Sequence, residues 1–276
     1  MHSLKIIWDP IKGIDLGFFM LHFYSVMWII AFVIGFFIMK RIYKNEGQTD
    51  ESLDSLFIYS VLGIMIGARL GHVIFYQPEL FKEDFFSIFL PFSFKGGFRF
   101  TGFAGLASHG AAIGMIISMY LYNKKILHKS VLWILDRIVI PVALGAVFVR
   151  IGNFINSEIV GKYTNSNFGV VFKQLGETDP RHPAQLYEAL CYVFVFATLF
   201  YLYWKTNKAE RQGFLFGAFL TMLWSVRFVI EFVKEAQNPE RADWLLNTGQ
   251  LLSIPFILIG LYFMFINQPR PLDSNK

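Results

Sequence analysis

Residues 131–156 read VLWILDRIVIPVALGAVFVRIGNFIN. Up to Val149 the run carries only the neighbouring charges Asp136 and Arg137. It then closes on Arg150, Asn153 and Asn156. A helix needs about 20 mainly apolar residues to cross the hydrocarbon core of a bilayer, and this run has them. Similar runs lie to either side, at 18–39, 55–76, 103–122, 183–204, 213–233 and 249–267. Polar, charged or Gly/Pro-containing stretches separate them. The reading is an all-α integral membrane protein with about seven spans, forming one polytopic domain over 1–276.

The composition agrees. Hydrophobic residues make up 55% of the 276, charged residues only 16%, and mean hydropathy is +0.47. Soluble domains are nearer a quarter charged. The chain has 32 phenylalanines, most of them in the apolar runs. The net charge of +5 does not point to nucleic acid, because the basic residues lie between apolar runs and form no continuous patch. The single cysteine, Cys191, excludes an internal disulfide and any Cys/His metal spacing, and reads as a packing residue. The first run lacks a basic leader and a small-residue cleavage site, so it is expected to be a retained helix.

The segment 77–101 is aromatic but broken by Pro78, Pro91 and Gly96–Gly97. It reads as an interfacial arm, since aromatic belts favour the headgroup region. Loop charges set the orientation. The stretches 40–54, 123–130, 205–212 and 268–276 hold 11 Lys/Arg in 40 residues; 1–17, 77–101, 157–182 and 234–248 hold 10 in 83. The denser set belongs in the cytoplasm. The N-terminus is then outside, the C-terminus cytoplasmic, and 157–182 forms a small external loop or cap.

With that orientation the polar residues of the spans share one level. Ionisable residues in spans are costly, and each is a functional candidate. Tyr24 opens span one, Arg69 lies late in span two, and His109 comes early in span three. Arg150 and Asn153 end span four, Glu188 opens span five, Arg227 and Glu231 end span six, and Gln250 opens span seven. All fall in the outer half. Asp136 and Arg137 are the exception and read as a snorkelling pair at the cytoplasmic face. Arg227 and Glu231, four apart, are expected to neutralise each other on one helix face, and Glu188 to pair with a second arginine. An arginine remains whose planar fork suits phosphate. The expectation is a cationic cavity for an anionic phospholipid headgroup, with His109 as the neutral base. A transporter or channel for an anionic solute is the alternative, but it needs a midplane site open to both faces. A purely structural ion-pair network is the third reading. No GxSxG, HExxH or P-loop motif is present.

The block RIGNFINSEIVGK at 150–162 closely resembles the signature of the bacterial prolipoprotein diacylglyceryl transferase family. So do HFYS at 22–25, GARLGHVIFY at 67–76, SHGAAIG at 108–114, RHPAQLYEA at 181–189, RFVIEFVK at 227–234 and GQLLSIP at 249–255, in the family's order. The resemblance implies essential roles for Tyr24, His109, Arg150, Asn153, Gly161, Arg227 and Glu231. It implies phosphatidylglycerol as donor, the lipobox cysteine of prolipoprotein signal peptides as acceptor, a thioether product, a site facing the outer leaflet of the bacterial inner membrane, and no cofactor or metal. Departures are Ser157 and Lys162 where the family usually has Gly and Arg, Ala104 and Ala107 before the histidine, and Leu223 and Trp224 where a tyrosine is frequent.

Overall fold

The computed structural model describes residues 6–17, 20–90, 92–94, 96–100, 105–235 and 246–265. Among them, helix dominates. Five helices are long and apolar enough to cross a membrane: α1 (Phe23–Asn45), α2 (Asp50–Tyr76), α5 (Val131–Ile155), α6 (Ala184–Lys205) and α8 (Thr248–Phe265). Between them lie α3 (Leu80–Glu83), α4 (Ser108–Tyr122) and the 17-residue apolar helix α7 (Phe214–Ile230). The chain is thus an all-α multi-pass membrane protein with five span-length helices, where the sequence suggested seven. At ~1.5 Å per residue, α4 and α7 are shorter than a ~30 Å core. The start of the third apolar run, 103–104, lies outside the described residues.

The first apolar run is displaced from its expected bounds. Residues Met20–His22 form strand β3, which pairs with β2 (Gly13–Asp15). The helix then starts at Phe23 and continues past the apolar run to Asn45. Hydropathy alone does not distinguish a short apolar strand from the first turn of a helix.

The chain divides into two compact units, residues 1–39 with 132–276, and residues 40–131. In the larger unit, α7 packs against α6 and α8. Asp136 of α5 is fully buried and caps α7: its carboxylate accepts from the backbone N–H of Gly213 at 2.6 Å and of Phe216 at 2.9 Å. The exposed N–H groups of a helix start require such acceptors. Arg137 is also buried and stacks on Trp133. The expected snorkelling pair is therefore corrected to a buried helix-to-helix cap. Outside the helices, strand β1 (Ile6–Trp8) pairs in parallel with β6 (Val170–Phe172). Trp8 packs on a small core of Phe154, Val160, Val170 and Phe172, and its indole N–H donates to the Phe154 carbonyl at 3.0 Å. This fastens the 157–182 segment to the end of α5.

In the smaller unit, α2 and α4 approach backbone to backbone. A Cβ on Gly71 would lie 2.7 Å from the Gly110 Cα, and one on Gly67 would lie 2.8 Å from the Gly114 Cα. Small residues four apart permit this contact, which accounts for the glycines around His109. After α2 come α3, a tight turn at Phe85–Ile88 and a two-stranded hairpin, β4 (Phe92–Ser93) with β5 (Arg99–Phe100). Phe81, Phe85, Phe86, Phe89, Phe94 and Phe98 of this segment are exposed.

Candidate functional site

In the larger unit, four helix ends bring charged residues together: the C-terminal turn of α5, the start of α6, the end of α7 and the start of α8. Arg150 Nε lies 2.5 Å from Glu188 Oε2, and Arg150 Nη1 donates to Asn153 Oδ1 at 3.1 Å. Glu188 is 0% exposed. Its other oxygen is 3.6 Å from the ammonium of Lys234, which is equally far from Glu231 Oε1. Lys234 is 2% exposed and also feels the charges of Arg150 and Arg227. Burial pushes its pKa down, and Glu188 and Glu231 pull it back up. Tyr192, buried on α6, lies in the field of Glu188, Arg150 and Arg227. Two cations, Arg150 and Lys234, thus meet Glu188 and Glu231, and the charge of Arg227 acts on the same group.

The pairing differs from expectation in one respect. Arg227 and Glu231 form no ion pair. Glu231 is the C-terminal cap of α7 and keeps helical backbone, its N–H donating to the Arg227 carbonyl at 3.0 Å, so helix spacing alone does not bring the two side chains together. Glu231 instead reaches Lys234, and its carboxylate lies against the first turn of α8, where Gly249 leaves it room. The dipole of a helix start favours an anion there. Among the described residues, Arg227 has no ion-pair partner, and its buried Nε has no hydrogen-bond partner. Of the two arginines at these helix ends, Arg227 is the one without an ion pair among the described residues. Glu188 is the carboxylate that pairs with the other, Arg150, as expected.

Other positions supply the frame. Tyr24 opens α1 and its ring packs on Gly152; a Cβ there would lie 2.7 Å from Tyr24 Cδ2. Asn153 passes the Arg150 contact on, donating to Glu158 Oε2 at 3.2 Å, while Asn156 donates to Glu158 Oε1 at 3.2 Å. Gly161 runs between two backbones. Its N–H donates to the His182 carbonyl at 2.9 Å, Lys162 N–H donates to the Val233 carbonyl at 2.8 Å, and a Cβ at 161 would lie 2.6 Å from the His182 Cβ. Only glycine fits without displacing a neighbour. Gln250 closes a reciprocal cap on α8: its N–H donates to Asn247 Oδ1 at 2.9 Å, and Asn247 N–H donates to Gln250 Oε1 at 3.0 Å. Arg181 clamps the 157–182 segment. It pairs with Glu177 at 2.7 Å and Glu235 at 3.1 Å, donates to the Gly161 carbonyl, and lies 3.9 Å from the centroid of the Tyr163 ring. Hydrogen bonds from Arg181 and Tyr163 hold the Glu177 carboxyl below its ordinary pKa.

Arg69 and His109 belong to the smaller unit. Arg69 is buried and its guanidinium donates to the carbonyls of Ile88 at 3.2 Å, Gly105 at 3.3 Å and Ser87 at 3.0 Å. It ties the aromatic segment to α2. His109 is exposed in the first turn of α4. Sequence reasoning passed over Lys234, Glu158 and Arg181, although all three lie within or beside the quoted motifs. A further signal was present for Lys234: it is the one cation three residues after Glu231.

The model of the family described as prolipoprotein diacylglyceryl transferase matches residues 12–266. A phosphatidylglycerol–prolipoprotein diacylglyceryl transferase of Bacteroides fragilis is 39% identical over 265 residues, covering 95% of both chains. One of Tolumonas auensis is 40% identical over 259 residues, covering 94% of this chain and 95% of its own. One of Chloroherpeton thalassium is 35% identical over 264 residues, covering 95% and 94% respectively.

Proposed function

This chain belongs to the prolipoprotein diacylglyceryl transferase family, and from that premise we propose that it transfers the diacylglyceryl group of phosphatidylglycerol to the lipobox cysteine of prolipoproteins. The observation that carries the chemistry is the cationic cluster at the four helix ends, with one guanidinium fixed on Glu188 and a second without a carboxylate partner among the described residues.

The step balances as a displacement. The cysteine sulfur, as thiolate, attacks the glycerol carbon that carries the phosphate ester. The C–S bond forms as the C–O bond breaks, and the electron pair leaves on the oxygen of glycerol phosphate. Arg150 and Arg227 bind the phosphate and stabilise the charge developing on the leaving oxygen. Glu188 and Asn153 aim Arg150. Glu231 and Lys234 hold the end of α7 at the start of α8. Tyr24 packs the lipid side of this site, and His109 accepts the thiol proton. Three further candidates take a supporting part: Arg69, whose guanidinium is engaged by backbone carbonyls, anchors the aromatic arm, Gln250 caps α8, and Gly161 allows the backbone crossing.

We place seven crossings in the bacterial inner membrane, counting α4 and α7 with the five long helices. The N-terminus is outside, the C-terminus is cytoplasmic, and the site faces the outer leaflet. The loop charge densities and the shared level of the helix ends support this. Within this single membrane domain, 77–101 lies along the interface and 157–182 forms the external cap. Reporters inserted at 125–128 or 206–210 should read cytoplasmic, and one at 165–178 external. The reversed pattern would put the site on the wrong face.

For the transfer itself, the purified protein is incubated with phosphatidylglycerol labelled in its terminal glycerol and a lipobox peptide. Water-soluble label should appear as glycerol phosphate only when the peptide carries cysteine. Release of label without peptide, or none with it, would reject the proposal.

A further inference from the structure

Trp224 stands one helical turn before Arg227 on α7. Its indole stacks on Phe256 of α8, with ring centroids 4.3 Å apart and planes 9° from parallel. The guanidinium carbon of Arg227 lies 5.3 Å from the indole centroid. Arg150 is oriented differently, by a carboxylate at 2.5 Å and an amide at 3.1 Å. The two arginines of the site are therefore held by different physics.

The difference matters for an anion site. A carboxylate partner occupies N–H donors and cancels the charge locally. A ring face attracts the cation through its quadrupole, leaves the charge in place and leaves the N–H groups to find other acceptors. The buried Arg227 Nε, without a partner among the described residues, fits this arrangement. The nearby carboxylates Glu188 and Glu231 already share Lys234. Phe256 in turn fixes the plane of the indole, because stacking on it excludes rotation of the ring.

We propose that Trp224 is a positioning residue for anion binding: it fixes the Arg227 guanidinium by a cation–π contact and keeps its donors available for the phosphate of the donor lipid. The identity of that lipid rests on the transfer reading above; the positioning of Arg227 rests on this geometry.

The test replaces Trp224 alone, by site-specific incorporation, with mono-, di- and trifluorotryptophan. Fluorine withdraws π density while nearly preserving shape, so packing on Phe256 survives. Binding of phosphatidylglycerol to the full-length protein and kcat/KM for the transfer are measured across the series. Both should fall stepwise with fluorine number, by about tenfold at trifluorotryptophan, equivalent to ~1.4 kcal/mol. Trp224→Tyr should stay within about threefold, and Trp224→Leu should lose at least as much as trifluorotryptophan. A binding series flat in fluorine number overturns the proposal, even if Trp224→Leu is inactive, because that pattern reports packing alone. Absence of turnover in the unmodified protein would sink the transfer reading, while stepwise loss of lipid binding would still uphold the role of Trp224.

Discussion

Arg150→Ala should lower diacylglyceryl transfer by about 10²–10³-fold, the loss typical when one preorganised donor to a developing negative charge is removed. Alanine also strips Glu188 of its closest cation, and Glu188 is completely buried. Removing one partner of a buried pair costs about 3–5 kcal/mol, so part of the effect would be destabilisation. Arg150→Lys separates the two. A lysine keeps a positive charge near Glu188 but cannot both pair with it and donate to Asn153 Oδ1 as the guanidinium does. The lysine variant should therefore melt within a few degrees of the unmodified protein and still lose about tenfold or more in kcat. Near-normal turnover by Arg150→Lys would show that charge alone suffices and that the geometric role assigned to this arginine is wrong.

His109→Gln tests the other half of the chemistry. General-base assistance is usually worth about 10²–10⁴-fold, so transfer at neutral pH should fall by that range. A substrate thiol has an ordinary pKa near ~8.5. As pH rises toward that value the thiolate fraction grows without help, and the variant should recover part of its rate relative to the unmodified protein. Lipid binding should be unchanged, because the arginines remain. If the deficit is the same at every pH, His109 orients a substrate and does not take the proton. A loss of tenfold or less would also count against the base.

The helices were legible wherever apolar length and a polar boundary coincided. The run 131–156 became Val131–Ile155, and 183–204 became Ala184–Lys205. The first run misled because Met20–His22 belong to a strand, and local hydropathy does not report that Gly13–Asp15 lies alongside them. The β1–β6 pairing was hidden for the same reason: Ile6 and Val170 are neighbours only in the folded chain. At the site, the sequence placed Arg150, Glu188, Arg227 and Glu231 near one level, and a helix-end argument was enough for that. It paired Arg227 with Glu231 from their i, i+4 spacing, which the backbone keeps without bringing the side chains together. Glu231 instead pairs with Lys234, three residues on and just past the helix end, a partner the i, i+4 argument did not consider. Asp136 shows the converse. Its position suggested an interfacial ion pair, and only the fold reveals that it supplies the acceptors missing at the start of α7.

The transfer reading also explains why the chain retains buried charges that a packing role would not need. Replacing buried ion pairs by apolar groups is often neutral or stabilising. Arg150, Glu188, Lys234 and Glu231 form such a network, and Arg227 stands beside it without a carboxylate partner among the described residues. A structural network would be expected to close on itself; one that leaves a guanidinium open is suited to receive an anion.

The most direct measurement is mass spectrometry of the lipobox peptide after incubation with the purified protein and phosphatidylglycerol. The account predicts a mass gain equal to one diacylglyceryl group, located on the cysteine sulfur and stable to hydroxylamine, as a thioether is and a thioester is not. The peptide with serine at that position should stay unmodified. An unmodified cysteine peptide in the presence of bound phosphatidylglycerol, or an acyl group carried as a hydroxylamine-labile thioester, would contradict it.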